Sequence, residues 1–215
     1  MYLELEKVNK VIDGNKVLKD ITYSFEKGRI YGICGKNGCG KTMLMKAICG
    51  LNSIQSGSIC IDGKKLGRGN EFPASVGALI ENPGFINQYS GLENLKILAE
   101  IRGEANEERI RDYMLRLSLN PDDRKSYKKY SLGMKQKIGI ICAIMEHPQM
   151  IILDEPTNAL DEESVQVLNE IIFERKNAGA LIIVASHDKM ELENIADEIV
   201  YMRAGEIIRN FLDVN

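Results

Sequence analysis

Residues 35–42 read Gly-Lys-Asn-Gly-Cys-Gly-Lys-Thr, an arrangement that could bind phosphate. Glycines allow successive backbone N–H groups to converge on phosphate oxygens, and a helix that begins here adds partial positive charge at its N-terminus. Lys41 would reach the β- and γ-phosphates of a nucleotide, and the Thr42 hydroxyl would be a ligand for Mg²⁺. An accidental glycine-rich turn is the alternative, and the strand pattern before it and helical pattern after it argue against that. The residues predicted to contact the nucleotide here are Gly35, Asn37, Gly38, Cys39, Gly40, Lys41 and Thr42.

Cys39 lies inside this loop, close in sequence to Lys41 and to the start of the predicted helix. Both neighbours favour the thiolate form of a cysteine. We therefore expect Cys39 to be alkylated readily in the empty protein and to be protected by bound Mg²⁺ and nucleotide. The alternative is that Cys39 is an inert, small filler of the loop.

Two carboxylates, Asp154 and Glu155, follow the apolar run of residues 150–153. At the carboxyl end of a strand beside a phosphate loop, Asp154 can hold Mg²⁺, usually through water. Glu155 would face the γ-phosphate and polarise the attacking water as a general base. The alternative is a strand that ends at a solvated acidic turn. The neighbouring phosphate loop favours the chemical interpretation.

His187 follows the next apolar run, residues 181–185. The carboxyl ends of parallel strands meet at one edge of a sheet, so His187 should also lie at the nucleotide. There it could contact the γ-phosphate and orient the water or Glu155, although an isolated histidine is more often structural. Lys41, Glu155 and His187 form the predicted catalytic set.

Hydrophobic periodicity predicts the elements that position these residues. Residues 1–33 and 57–61 show strand patterns joined by turns. The apolar runs at 150–153 and 181–185 do not alternate, which indicates buried parallel strands joined by a helix over about 162–177. From about 84 to 145, apolar residues recur at helical spacing.

The predicted fold class is therefore α/β. A P-loop core of mainly parallel sheet carries an antiparallel β subdomain near the N-terminus and an inserted α-helical subdomain. We expect one domain over residues 1–215, in which 1–83 and 146–215 form the core with its antiparallel layer. Residues 84–145 would form the helical subdomain.

Composition limits the class of partner. A chain of 215 residues suffices for one full-sized domain, and 44% hydrophobic with 27% charged residues is ordinary for a soluble protein. The net charge is −3 and the isoelectric point is near 5.6, so a nucleic-acid partner is not expected.

The five cysteines form neither a Cys-x-x-Cys pair nor a metal-type Cys/His cluster, which predicts reduced thiols in a cytosolic protein. The N-terminus lacks the apolar centre of a signal peptide. The longest apolar stretch, residues 138–145, is far shorter than the roughly 20 residues of a membrane span. We therefore expect a soluble chain whose membrane role, if it has one, comes through a partner.

Taken in order, these motifs resemble the nucleotide-binding domain of ABC ATPases, and the resemblance covers essentially the whole chain. Residues 130–136, Tyr-Ser-Leu-Gly-Met-Lys-Gln, look like the ABC signature, whose common form is Leu-Ser-Gly-Gly-Gln. Residues 158–161, Asn-Ala-Leu-Asp, look like the D-loop that follows the acidic pair.

The resemblance implies a head-to-tail dimer with a second ATPase subunit, most simply a homodimer. Each ATP would lie between the phosphate loop of one subunit and the signature of the other. Ser131 and the backbone of Gly133 would then bind the γ-phosphate in trans, with Asp161 also at the nucleotide. A simple helix cap at Ser131 is compatible with this role, because a cap and an anion site use the same donors.

Three positions depart from the family pattern. The signature has Leu132 and Met134 where glycine and glutamine are usual. Glu81 takes the position of the family's Q-loop glutamine, where its carboxylate would be a third oxygen ligand for Mg²⁺ beside Thr42 and Asp154. Ile12 takes the position of the aromatic residue that stacks on adenine, which leaves apolar contact without stacking.

The segment 77–85 and the signature variant look like those of bacitracin- and lantibiotic-type exporter ATPases. That resemblance implies an ATPase with ATP and Mg²⁺ as cofactors, working through a separate transmembrane permease on the cytoplasmic face of the membrane. Export of an antimicrobial peptide or drug would be its function. The alternatives are a soluble ABC ATPase of translation or DNA maintenance, and a nonhydrolytic regulator that dimerises on ATP.

Overall fold

The computed structural model describes residues 1–67, 72–81 and 84–208, and the strands in these ranges form two sheets. Residues 209–215 and the short segments 68–71 and 82–83 lie outside the description. In chain order, the strands are Leu3–Ile12 (β1), Asn15–Phe25 (β2), Ile30–Cys34 (β3), Ser56–Ile61 (β4), Lys64–Lys65 (β5), Val76–Leu79 (β6), Met150–Asp154 (β7), Leu181–Ser186 (β8), Glu198–Arg203 (β9) and Glu206–Ile208 (β10).

The smaller sheet is antiparallel and has the order β2-β1-β4-β5. The larger sheet has the order β10-β9-β3-β8-β7-β6, in which every neighbouring pair is parallel except the terminal β9–β10 hairpin. In this sheet β8 lies between β3 and β7. The three strand ends that carry the predicted chemistry are therefore neighbours.

Helices connect these strands. In chain order they are Lys41–Ile48 (α1), Gly91–Arg102 (α2), Glu107–Arg116 (α3), Leu132–Ile144 (α4), Glu162–Asn177 (α5) and Lys189–Glu193 (α6). Side-chain caps explain several of the starting points: Ser90 and Glu93 form a reciprocal capping box at α2, and Asn106 caps α3. None of the helices in the described ranges has the length and hydrophobicity needed to cross a membrane.

The central strands β3, β7 and β8 of the larger sheet are buried on both faces, which explains why they are nearly uninterrupted apolar runs. In β8, Ile182 and Val184 face a core shared with the helices of residues 91–144, whereas Ile183 and Ala185 face the antiparallel sheet. Alternate residues of β3 and β7 divide between the same two cores. The sheet is thus held from both sides.

The predicted fold class is confirmed, as are the two parallel strands and the helix at 162–177 that connects them. The interval 84–145 contains α2, α3 and α4. In the structure, α4 also packs on the large sheet through the core cluster that includes Ile140, Ile144 and Ile151. The division into core and helical subdomain stays a prediction.

Candidate functional site

The phosphate loop connects the end of β3 with the start of α1. Gly38 and Gly40 adopt φ angles of 80° and 112°, a region that side chains disfavour. A Cβ at Gly40 would also lie 2.8 Å from the backbone oxygen of Val17. Glycine is therefore required at Gly40 by its conformation and by the close approach of β2.

Lys41 is buried, with 5% of its surface exposed. Its Nζ donates a hydrogen bond of 2.6 Å to the backbone oxygen of Gly35 and lies 3.6 Å from Oε1 of Glu155. The ammonium group is thus held inside the loop, between the backbone that would wrap the phosphates and the predicted general base.

Thr42 and Asp154 meet across the loop. The Thr42 hydroxyl donates a hydrogen bond of 2.6 Å to Oδ2 of Asp154. Burial raises the pKa of the Asp154 carboxyl, and the hydrogen bond from Thr42 opposes that shift in part. The two side chains were 112 residues apart in sequence and are brought together by the β3-β8-β7 strand order.

This pair fits Mg²⁺. Hydroxyl and carboxylate oxygens are the hard ligands that Mg²⁺ prefers, and Mg²⁺ at nucleotide sites takes most of its other ligands from phosphate and water. A larger carboxylate cluster is therefore not needed, and among the described residues no group of three or more His, Cys, Asp or Glu side chains is arranged to hold a metal.

Glu155 lies just beyond β7, beside the end of β8. Its backbone N–H donates to the backbone oxygen of Ala185 at 2.8 Å. Oε2 contacts Nδ1 of His187 at 2.9 Å, whereas Oε1 is buried and has no hydrogen-bond partner. The Lys41 ammonium is its ion-pair partner at 3.6 Å, and a ligand or water would supply the missing hydrogen bond. The His187 side chain is exposed, so this end of the site is open to solvent.

The phosphate loop and the acidic pair line a pocket of about 280 Å³, whereas Gly35, Cys39 and His187 are not among its lining residues. That volume lies just below the roughly 300–1,000 Å³ typical of ligand sites, so it suits a phosphate chain whose base lies outside. Residues of the predicted site that line the pocket are Asn37, Gly38, Gly40, Lys41, Thr42, Glu81, Asp154 and Glu155, and Val17, Lys36 and Met43 line it as well.

Glu81 lies at the rim of this pocket, and its carboxylate is 2.7 Å from Nζ of Lys46 on α1. Its backbone has a φ of 58°, which is uncommon for a residue with a side chain. The carboxylate is also one of the charges that raise the pKa of Asp154. The sequence pattern did not indicate that Lys46 pairs with Glu81. The role of Glu81 as a metal ligand stays a prediction. Asn82 and Pro83, from the segment used for the exporter resemblance, lie outside the described residues.

Ile12 is the last residue of β1, opposite Asn15, and is 37% exposed. In the described part of the chain, the pocket is lined by Val17 of β2 rather than by Ile12. Ile12 does not line the phosphate pocket, so any contact with the base would be made on the neighbouring surface. That contact stays a prediction.

Cys39 is 8% exposed and packs in the core between the two sheets. Its sulfur lies so close to Gly35 that a Cβ there would be 2.6 Å from Sγ. This low exposure favours the small-filler alternative over a readily alkylated thiol. Cys39 also lines an open pocket with residues 36–38 and 202–204, so ready alkylation stays a prediction.

The signature residues lie at the start of α4. Ser131 caps the helix, its Oγ accepting a hydrogen bond of 3.2 Å from the Met134 N–H. A Cβ at Gly133 would lie 2.6 Å from the backbone oxygen of Ala159. Ser131 and Gly133 are not among the residues that line the phosphate pocket of their own chain.

Asp161 caps α5 and accepts a hydrogen bond of 2.8 Å from the Ser164 N–H. Hydrogen bonds from Ser164 lower the pKa of Asp161. Its other carboxylate oxygen lies 3.6 Å from Nζ of the buried Lys137 on α4. This ion pair therefore links the segment after Glu155 to α4.

The sequence pattern did not predict the hydrogen bonds that Gln136 makes to the segment after β7. Its Nε2 donates to the backbone oxygens of Glu155 at 3.2 Å and Pro156 at 2.9 Å. Its place two residues after Met134 in the signature gave no signal of this contact, because the partners are backbone atoms of a distant segment.

Comparison with known proteins supplies the family. A sequence model described as ABC transporter matches residues 18–158. The chain is 42% identical over 205 residues to the uncharacterized ABC transporter ATP-binding protein YybJ of Bacillus subtilis, covering 95% of this chain and 94% of that protein. It is 34% identical to the lantibiotic transport ATP-binding protein SrtF of Streptococcus pyogenes, covering 96% and 89%. It is 35% identical to the bacitracin transport ATP-binding protein BcrA of Enterococcus faecalis, covering 96% and 68%.

Solved structures show the same fold. The ATP-binding subunit of an ABC transporter superposes with a TM-score of 0.89 at 28% identity, over 96% of this chain and 88% of that one. A dimeric bacterial ABC transporter cassette has a TM-score of 0.83 at 22% identity, over 96% and 97%.

Proposed function

Since this chain belongs to the ABC transporter family, we propose that it hydrolyses ATP to power transport through a separate membrane-spanning chain. The observation that carries the proposal is the arrangement of Glu155: one carboxylate oxygen contacts His187, and the other is buried without a hydrogen-bond partner, 3.6 Å from Lys41. A solvated acidic turn would leave both oxygens to water.

ATP would bind with its phosphates along residues 35–42. Backbone N–H groups and Lys41 would hold the β- and γ-phosphates, and the Thr42 hydroxyl and the Asp154 carboxylate would hold Mg²⁺. Bound Mg²⁺ supplies positive charge that neutralises the phosphates. Because Asp154 is partly buried, its charge is poorly solvated in the empty protein and would be stabilised by a bound cation.

Hydrolysis would proceed with Glu155 as general base. A water attacks the γ-phosphorus, a proton of that water passes to Oε1 of Glu155, and ADP leaves with its β-phosphate oxygen freed. His187 holds Oε2 at 2.9 Å and thereby keeps Oε1 directed at Lys41 and the phosphates. Lys41 stabilises the negative charge that develops on the γ-phosphate.

Two subunits would complete each site. Ser131 and Gly133 lie outside the phosphate pocket of their own chain, at a helix start whose free N–H groups attract anions. In a head-to-tail dimer they would bind the γ-phosphate of the other subunit, with Asp161 beside it. A bacterial ABC transporter cassette of the same fold is dimeric.

The transported substrate is proposed from the relatives. SrtF and BcrA are named for lantibiotic and bacitracin transport, and this chain is 34% and 35% identical to them. We infer that the chain drives export of such antimicrobial peptides, docked on the cytoplasmic face of a permease and without a nucleic-acid partner.

Phosphate release by the purified chain with Mg²⁺ and ATP tests hydrolysis. Lys41→Ala should abolish release, whereas Lys64→Ala, an exposed lysine of β5, should not. For transport, cells that produce the chain together with its permease partner should tolerate more bacitracin or lantibiotic than cells with Lys41→Ala. Co-sedimentation with ribosomes or DNA instead of membranes would contradict the transport proposal, and absent phosphate release would contradict hydrolysis.

A further inference from the structure

The N-terminal part of α4 is hydrogen-bonded to the segment that carries the predicted general base. Gln136 donates from one amide group to two successive backbone oxygens, those of Glu155 and Pro156, at 3.2 and 2.9 Å. One amide that binds two successive carbonyls restrains the orientation of both peptide planes, those of residues 155–156 and 156–157. The position of Glu155 therefore depends on α4.

The backbone of Glu155 needs such support. Its φ is 47°, in the left-handed region, which is unfavourable for a residue with a side chain and persists only where the surroundings hold it. The N–H donates to the oxygen of Ala185 at 2.8 Å, and the C=O accepts from Gln136 at 3.2 Å and from the Asn158 N–H at 3.3 Å. These bonds set the direction in which the carboxylate leaves the backbone, and Gln136 supplies the only one of them that comes from α4.

Two further contacts join the same pieces of chain. Gly133 lies so close to Ala159 that a Cβ would be 2.6 Å from its oxygen, and buried Lys137 lies 3.6 Å from Asp161. Residues 133–137 and 155–161 are thus in contact at three places. A displacement of the start of α4 would be passed to Glu155.

We propose that Gln136 is a positioning residue for Glu155, through which contact at the start of α4 acts on the carboxylate of the same chain. This inference rests on the proposed hydrolysis with Glu155 as base. In the proposed dimer, the helix start faces the ATP of the other subunit. Alignment of Glu155 in one site therefore responds to occupancy of the other site.

The test compares Gln136→Met and Gln136→Glu with the wild-type protein. Both variants keep the length of the side chain and remove the donated hydrogen bonds. We expect kcat to fall by about 10- to 100-fold, since a misplacement of about 1 Å can reduce a rate by about 10². The Kd for ATP with Mg²⁺ should stay within about twofold, because neither variant touches the phosphate loop. Gln166→Met, the same substitution at an exposed position of α5, should leave both quantities unchanged.

The second arm places Gln136→Met in a Glu155→Gln background and measures single-turnover hydrolysis. If Gln136 acts through Glu155, the second substitution should cause no further loss. An equal loss in both backgrounds, a kcat like that of the wild-type protein in both Gln136 variants, or a loss of ATP binding would overturn the inference.

If Gln136→Met does not fold, the same measurements are made with Gln136→Glu. A wild-type protein that releases no phosphate would overturn the proposed hydrolysis, and this inference with it. Wild-type turnover that Gln136→Met leaves unchanged would overturn the inference alone.

Discussion

Glu155 and His187 lie 32 residues apart in sequence, and in the structure Oε2 of the carboxylate is 2.9 Å from Nδ1 of the imidazole. Asp154 pairs with Ala185 in the β7–β8 register, so the residues that follow each strand emerge at the same edge of the sheet. The contact leaves the other carboxylate oxygen buried and directed toward Lys41. This geometry makes Glu155 the first residue to test.

Glu155→Gln should bind ATP with Mg²⁺ and hydrolyse it slowly. Loss of a positioned general base reduces a rate by about 10² to 10⁴. The retained ATP should hold two subunits together, which size-exclusion chromatography would detect as a shift to larger size. Glu163→Gln, an exposed glutamate in the first turn of α5, is the control. Turnover of the Glu155→Gln variant at the wild-type rate would exclude Glu155 as the base.

Asp154→Asn should stabilise the empty protein and weaken its response to Mg²⁺ and ATP. Burial raises the pKa of Asp154 above 3.8, so at neutral pH the ionised carboxylate is less favourable in the folded chain than in the unfolded chain. The variant removes that charge, and Tm should rise by about 2–4 °C for each kcal/mol gained.

The destabilising effect of the Asp154 charge is present above the folded pKa and disappears below 3.8, so the difference in Tm should shrink as the pH falls toward 4. Thermal scans with and without Mg²⁺ and ATP measure both effects. Asp112→Asn, at an exposed position of α3, is the control. An Asp154→Asn protein that Mg²⁺ and ATP stabilise as much as the wild type would remove Asp154 from the metal site.

In the empty protein, the more buried a cysteine is, the more slowly it should be alkylated. Burial raises the pKa of the Cys49 thiol to about 12 and that of Cys142 to about 11, so both should react slowly at pH 8. Only 8% of Cys39 is exposed, whereas Cys60 is partly exposed. Mass spectrometry after iodoacetamide treatment should find Cys60 modified first, and denaturant should equalise the rates. Fast labelling of Cys39 that Mg²⁺ and ATP prevent would restore the view of Cys39 as a reactive thiol.

Glu81→Gln should raise the Mg²⁺ concentration needed for half-maximal ATPase activity. A carboxylate is a better ligand for a hard cation than an amide oxygen, and its charge repels the γ-phosphate when metal is absent. The variant should therefore also bind ATP more readily in the presence of a chelator. Glu4→Gln on β1 is an exposed control.

The ion pair between Glu81 and Lys46 provides the competing explanation, in which the carboxylate pairs with a lysine of α1 and does not bind the metal. Lys46→Met separates the two. If Lys46 holds Glu81 away from the metal, this variant should lower the Mg²⁺ requirement of the wild-type chain. Magnesium titration curves that coincide for the wild type and Glu81→Gln would show that the carboxylate is not part of the metal site.

Ile12→Tyr should tighten binding of adenine nucleotides by about 0.5–1.5 kcal/mol if an aromatic stack forms on the base. Ile12 is 37% exposed at the end of β1, so a larger side chain has room there. Calorimetric titration with ATP measures the change, with Ile86→Tyr at another exposed isoleucine as control. An unchanged affinity would mean that the base lies elsewhere, for example against Val17, which lines the phosphate pocket.

The sequence alone determined those features whose chemistry is local. The spacing of Gly35, Gly40, Lys41 and Thr42 predicted a phosphate loop, because adjacent residues must supply its backbone N–H groups and its helix start. Unbroken apolar runs predicted β7 and β8, because strands buried on both faces leave no position for a polar residue. The need for a crossover between two parallel strands predicted a helix over about 162–177, where α5 lies.

Only the tertiary structure decided the contacts between distant segments. Lys46 at Glu81, Gln136 at the Glu155 backbone and Val17 at the pocket are each set by strand order and by the packing of helices on the sheet. A sequence pattern describes one segment at a time. The distance between two segments depends on how both are packed on a shared core, so these contacts have no local signature to read.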